Sequence, residues 1–159
     1  MGADGFIAVV EPVLAPAFRG VRDSAKTPLE PAQGQTILLA EDDDDLRLGM
    51  TYLLTELHFK VVACANADLA LAAFSDHHTI DLLITDLQMP GRSGVELASE
   101  LTTIKPDLPV LIVSGSILSD GALTDIWQKG WAFLSKPCKL NALTDIIESL
   151  LRPDYPLAA

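Results

Sequence analysis

Five polar residues stand at the ends of four apolar runs. Glu41 and Asp42 follow Ile37-Leu38-Leu39-Ala40, and Asp86 follows Leu82-Leu83-Ile84-Thr85. Ser114 follows Val110-Leu111-Ile112-Val113, and Lys136 follows Ala132-Phe133-Leu134-Ser135. If these ends meet, they bring together three carboxylates, a hydroxyl and an ammonium. Carboxylates offer a hard divalent cation the oxygen ligands it prefers, and an ammonium and a hydroxyl can pair the oxygens of a phosphoryl group.

Apolar runs that each finish on a polar residue predict a parallel sheet buried on both faces, with its chemistry at the carboxyl edge. The segments between them read as helices. Asp43-Asp44-Asp45 opens the first, in which Leu46, Met50, Leu53, Leu54 and Leu57 fall on one helical face. Val61-Val62-Ala63 reads as a short strand, and Asn66 caps a second helix carrying Leu69, Ala70, Ala73 and Phe74. Leu87-Gln88-Met89-Pro90-Gly91 must turn, after which Val95, Ala98 and Leu101 mark a third helix stopped before Pro106. A fourth helix is expected over about 120–129, ending at Gly130, and a fifth from about Asn141 to Leu151, before Pro153. Strict alternation of five strands and five helices, with right-handed crossovers, gives an α/β sheet with helices on both faces.

The chain's 159 residues suffice for one full core plus tails. Its 49% apolar and 21% charged residues are those of a folded soluble protein. With 11 Lys and Arg against 22 Asp and Glu, the net charge of -11 disfavours nucleic acid backbone and anionic membrane, leaving a protein or a cation as partner. Two cysteines, Cys64 and Cys138, without metal-ligand spacing fit a reducing, cytoplasmic setting. Phe6-Ile7-Ala8-Val9-Val10 is too short to span a bilayer, and no basic segment precedes it as in a secretory signal. Residues 1–34, with Pro12, Pro16, Pro28 and Pro31 and no sustained period, read as an irregular leader or linker. Residues 35–152 are the expected domain and 153–159 a short tail.

From residue 35 onward the chain resembles response regulator receiver domains of two-component signalling. The resemblance is carried by Ile37-Leu38-Leu39-Ala40-Glu41-Asp42-Asp43, by Asp81 through Gly91, by Ser93-Gly94-Val95-Glu96-Leu97, by Val113-Ser114-Gly115 and by Phe133-Leu134-Ser135-Lys136-Pro137. Order and spacing agree, with 44 residues from Asp42 to Asp86 and 50 from Asp86 to Lys136. The resemblance implies a flavodoxin-like fold with strand order 2-1-3-4-5. It implies that Asp86 accepts a phosphoryl group from a phosphohistidine on a histidine kinase or a histidine phosphotransfer protein. Mg²⁺ would be held by Asp42, Asp86, the Gln88 carbonyl and Glu41, the last directly or through water. Ser114 and Lys136 would pair the phosphoryl oxygens, and Phe133 would be the switch aromatic. A cis Lys136–Pro137 bond is implied as well, and so is pairing into a homodimer through the face formed by the fourth helix, fifth strand and fifth helix.

Plainer readings apply elsewhere. Asp43, Asp44 and Asp45 read as partners of a helix dipole, and His58, His77 and His78 as surface or loop residues. Two residues depart from the family pattern near the pairing face: Cys138 stands where an aromatic is common, and Trp131 where alanine is. Gln88 and Ser116 hold positions that tune phosphoryl lifetime in this family. A rival, the haloacid dehalogenase-like phosphatases, wants a second aspartate where Gln88 stands. A phosphorylation-independent pseudo-receiver is opposed by the complete acidic and lysine set. About eight residues follow the last expected helix, too few for a further output domain. A stand-alone regulator, a phosphorelay receiver and the C-terminal receiver of a hybrid histidine kinase all fit, and the wording of the leader and of Val113-Ser114-Gly115 leans toward the last.

Overall fold

A computed structural model describes residues 34–77 and 79–152. Five strands, β1 (Thr36–Ala40), β2 (Lys60–Cys64), β3 (Leu82–Asp86), β4 (Val110–Ser114) and β5 (Ala132–Ser135), alternate with α1 (Asp44–Glu56), α2 (Ala67–Asp76), α3 (Gly94–Ile104), α4 (Asp120–Gln128) and α5 (Leu140–Leu150). The strands form one parallel sheet in the order β2-β1-β3-β4-β5. The leader, except Gly34, the tail 153–159 and His78 lie outside the described residues.

Residues alternate between two apolar layers, which is why the middles of the central strands are apolar at successive positions. Leu38, Leu83, Val110, Ile112, Trp131 and Phe133 face a layer closed by Ala70 of α2, Leu97, Ala98 and Leu101 of α3, and Ile126 of α4. Ile37, Leu39, Leu82, Ile84, Leu111, Val113 and Leu134 face the other, closed by Leu54 of α1 and Leu143, Ile146, Ile147 and Leu150 of α5. Each fully buried Leu or Ile contributes about 1.5–3 kcal/mol relative to exposure. β2 is less buried, with Lys60 exposed and Val61 and Val62 half-buried, as its place at the sheet edge requires.

Side chains fix the helix starts where the sequence suggests. Asp43 accepts from the Leu46 amide and Asn66 from the Leu69 amide. Ser93 and Glu96 form a reciprocal capping box, and Ser119 accepts from the Ala122 amide. Gly130, at φ 74, closes α4 in the left-handed conformation glycine tolerates. Two expectations shift. The fifth helix starts at Leu140, with Lys139 as N-cap, one residue earlier than expected. Leu46 and Leu69, expected among the apolar residues of their helices, are 50% and 53% exposed; in α2 the buried side carries Ala67 and Ala70, and Leu69 lies off it.

Candidate functional site

Strand order reverses at β1, with β2 added on one side and β3 on the other, and because β1 and β3 are parallel their carboxyl ends lie side by side. Glu41 and Asp42 leave β1 there, and Asp86 ends β3. One oxygen from each of the three carboxylates can be chosen so that all lie within 4.8 Å of one another, a spacing one divalent ion can span. Glu41 is buried, Asp86 partly buried and Asp42 exposed, so the cluster opens to solvent on the Asp42 side.

Lys136 reaches the cluster from the end of β5. Its Nζ lies 2.6 Å from Glu41 Oε2 and 3.1 Å from Asp86 Oδ2, and the Lys136–Pro137 peptide is cis. The second oxygen of each carboxylate takes a backbone donor: Glu41 Oε1 accepts from the Asp43 amide and Asp86 Oδ1 from the Gln88 amide, each at 3.2 Å. Burial pushes the Glu41 carboxyl up from its ordinary value, against the lowering effect of Lys136. For Lys136, burial acts downward, but its hydrogen bonds to Glu41 and Asp86 outweigh it and the ammonium is held above its ordinary value. The Lys136 shift has the sign expected of an ammonium held between two carboxylates, while that of Glu41 comes chiefly from its burial.

Ser114, at the end of β4, is 1% exposed and its Oγ accepts from the Ser116 amide. Across the neighbouring strand, Phe133 is buried in the layer with Ile112, Ile126 and Trp131. The expected residues Glu41, Asp42, Asp86 and Lys136 thus meet directly, Gln88 touches Asp86 through its amide, and Phe133 lies inward behind the sheet's edge.

Three residues to which the sequence assigns no role support the cluster. Arg47 donates from Nη1 to the Glu41 carbonyl at 2.9 Å and pairs with Asp44. The Thr85 hydroxyl donates to the Asp86 carbonyl at 2.9 Å, and Gly94 lies against the same oxygen. An arginine one turn into a helix that follows an acidic pair was the available signal for the first. A glycine at the first helical position, where propensity disfavours it, was the signal for the last.

Residues 37–148 match the family model described as the response regulator receiver domain. The chain belongs to the response regulator receiver family. The receiver is 33% identical over 115 residues to the response regulator receiver protein CpdR of Brucella abortus, covering 72% of this chain and 95% of the relative. It is 32% identical over 124 residues to the DNA-binding transcriptional regulator NtrC of Azospirillum brasilense, covering 78% of this chain but only 26% of that protein. The receiver thus spans about a quarter of that longer relative's length. Among solved structures, the response regulator TrrA of Thermotoga maritima, in complex with Mg(2+)-BeF, superposes with a TM-score of 0.66 at 26% identity, covering 74% of this chain and 99% of that one.

Trp131 and Cys138, the two departures from the family pattern, point in different directions. Trp131 is buried beside Phe133 with the Lys129 ammonium 4.7 Å from its ring centre, so it fills the layer under α4 instead of standing on the outer surface. Cys138 packs, half-buried, against the layer closed by α1 and α5. His58 and His77 are exposed at the ends of α1 and α2. No helix among the described residues is long and apolar enough to cross a membrane.

Proposed function

We propose that Asp86 is the phosphoacceptor of this receiver, taking a phosphoryl group from a phosphohistidine on a histidine kinase or histidine phosphotransfer protein. The observation that carries the reading is the meeting of Glu41, Asp42 and Asp86 within one ion's reach, with Lys136 bridging two of them. In the transfer, an Asp86 carboxylate oxygen bonds to phosphorus as the phosphorus–nitrogen bond breaks, and the leaving imidazole takes up a proton. A carboxylate is a weak nucleophile, so the protein's contribution is in-line placement and charge neutralisation.

The donor set of hard oxygens fits Mg²⁺, which retains several waters and binds through one or two carboxylates. Asp42, Asp86, the Gln88 carbonyl and Glu41 would hold it, and it would supply positive charge to the transferring phosphoryl oxygens. Together with Lys136 it would balance three negative charges with three positive ones. An added phosphoryl group brings about -1.5 to -2 charge and three strong acceptors, which Lys136 and the Ser114 hydroxyl would pair. Drawing Ser114 forward would open room for Phe133 to turn, coupling the charge change to the surface formed by α4, β5 and α5, where a second receiver could pair. Residues 35–152 would act as the switching unit. The same chemistry would serve a stand-alone regulator, a phosphorelay receiver or the receiver of a hybrid histidine kinase.

Incubation with acetyl phosphate and Mg²⁺, followed by intact mass, tests the reading. One phosphoryl adduct on the native chain and none on Asp86→Asn is expected. A phosphorylation-independent receiver would show no adduct on the native chain, and rapid turnover of simple phosphate esters would indicate phosphatase chemistry instead.

A further inference from the structure

We infer that Thr85 is a positioning residue for the phosphoacceptor, its hydroxyl holding the main-chain carbonyl of Asp86 in place under the bare Cα of Gly94. This deepens the reading of Asp86 given above and rests on it. Thr85 is fully buried in β3 and, like Leu83 two residues earlier, points to the layer closed by α2, α3 and α4. Every other buried β3 side chain facing either layer is aliphatic, and valine would match threonine's shape there. A hydroxyl in such a place costs stability unless it is bonded. Its bond, 2.9 Å long, goes to the carbonyl oxygen of Asp86.

A second contact converges on that oxygen. A Cβ built on Gly94 would lie 1.9 Å from the Asp86 carbonyl oxygen, 2.9 Å from its carbon and 3.0 Å from Thr85 Oγ1. The first turn of α3 therefore closes directly over the carbonyl, and only glycine allows it. The Gly94 amide in turn donates to the Leu87 carbonyl at 2.9 Å, fixing the next peptide unit. The Gln88 amide follows, and it donates to Asp86 Oδ1. Hydroxyl, glycine and amide thus form one run of contacts from the buried face of β3 to a carboxylate oxygen. Turning the Asp86 carbonyl would turn the Asp86–Leu87 peptide, the unit before the one that carries the Gln88 amide, and with it the seat of the carboxylate.

Thr85→Val removes the donor at constant shape, and Thr85→Ser retains it without the methyl. With the full chain, acetyl phosphate as donor and saturating Mg²⁺, Thr85→Val is expected to lower the initial rate of labelling about tenfold, the order expected for a reacting group displaced by a fraction of an ångström. Thr85→Ser is expected to keep the native rate. Mg²⁺ titration followed through the Asp86 and Gln88 amide resonances gives a readout independent of phosphoryl transfer, and affinity should weaken in Thr85→Val alone. Native labelling and native Mg²⁺ affinity in Thr85→Val would overturn the inference, as would equal loss in both variants, which would assign the role to shape. If Thr85→Val does not fold, Thr85→Ala against Thr85→Ser decides by the same comparison. Failure of the native chain to label, with Mg²⁺ affinity still split between the variants, would sink the phosphoacceptor reading and leave the clamp standing.

Discussion

Asp42→Asn should make the cation-free protein more stable while removing the stabilisation a divalent cation confers. Asp42 is the exposed member of the acidic cluster, and the two bridging contacts of Lys136 go to Glu41 and Asp86. Its neighbours' oxygens come within 4.8 Å. Two like charges at that separation repel by about 1 kcal/mol in water and about 3.5 kcal/mol at an effective dielectric constant of 20. Asp42's exposure favours the lower figure, and Glu41, adjacent in sequence, repels it in the unfolded chain too. Neutralising Asp42 should therefore stabilise the cation-free fold by about 1–2 kcal/mol, or roughly 3–6 °C in Tm for a domain of this size. In the native chain, Mg²⁺ at a hundredfold excess over its Kd should add about 2.7 kcal/mol. Thermal unfolding followed by circular dichroism, in EDTA and in excess Mg²⁺, reads both effects. A lower Tm for Asp42→Asn in EDTA, or a native-sized Mg²⁺ gain in that variant, would refute the charge-cluster reasoning.

Three further perturbations probe the same cluster. Burial raises the Glu41 pKa in the folded state, so its carboxylate costs stability at neutral pH and that cost disappears as pH falls through the raised value toward 4.5. Any Tm advantage of Glu41→Gln in EDTA should therefore shrink on acidification, and an advantage that grew would contradict this sign. Lys136 is held above 10.5, so its contribution is fully present below that pH and is lost as pH rises through the folded value. The stability gap between native and Lys136→Met chains, measured by urea titration, should accordingly narrow in strong alkali. Arg47→Ala frees the Glu41 carbonyl, and should cost about 1–2 kcal/mol and speed hydrogen exchange at Asp42 and Asp43; unchanged exchange there would remove Arg47 from the site's support.

Much of the architecture was legible because its causes are local. The run Ile37 to Ala40 is apolar at every position since β1 is covered on both faces, and Asn66 announces a helix start through the amide it caps. Strand order was not in the pattern of apolar residues; it came with the resemblance, as did the roles of Gln88 and Phe133. Apolar character alone misplaced Leu69, since the small Ala67 and Ala70 occupy the buried side of α2 and leave the larger Leu69 outside. Trp131, a departure from the family pattern near the pairing face, precedes β5 and is buried in one layer with Phe133, two residues on. The contact of Thr85 and Gly94 on the Asp86 carbonyl follows from how the turn after β3 folds back, which neither the alternation of β3 nor a metal-ligand spacing announces.

The proposed phosphorylation of Asp86 can be read chemically. Brief exposure of the full chain to acetyl phosphate and Mg²⁺, followed by borohydride reduction and peptide mass mapping, converts an aspartyl phosphate to homoserine at its own position. Homoserine at position 86, with Asp42 and Glu41 unmodified, is the predicted result. Homoserine at another carboxylate, or none in a chain that remains folded and binds Mg²⁺, would contradict it.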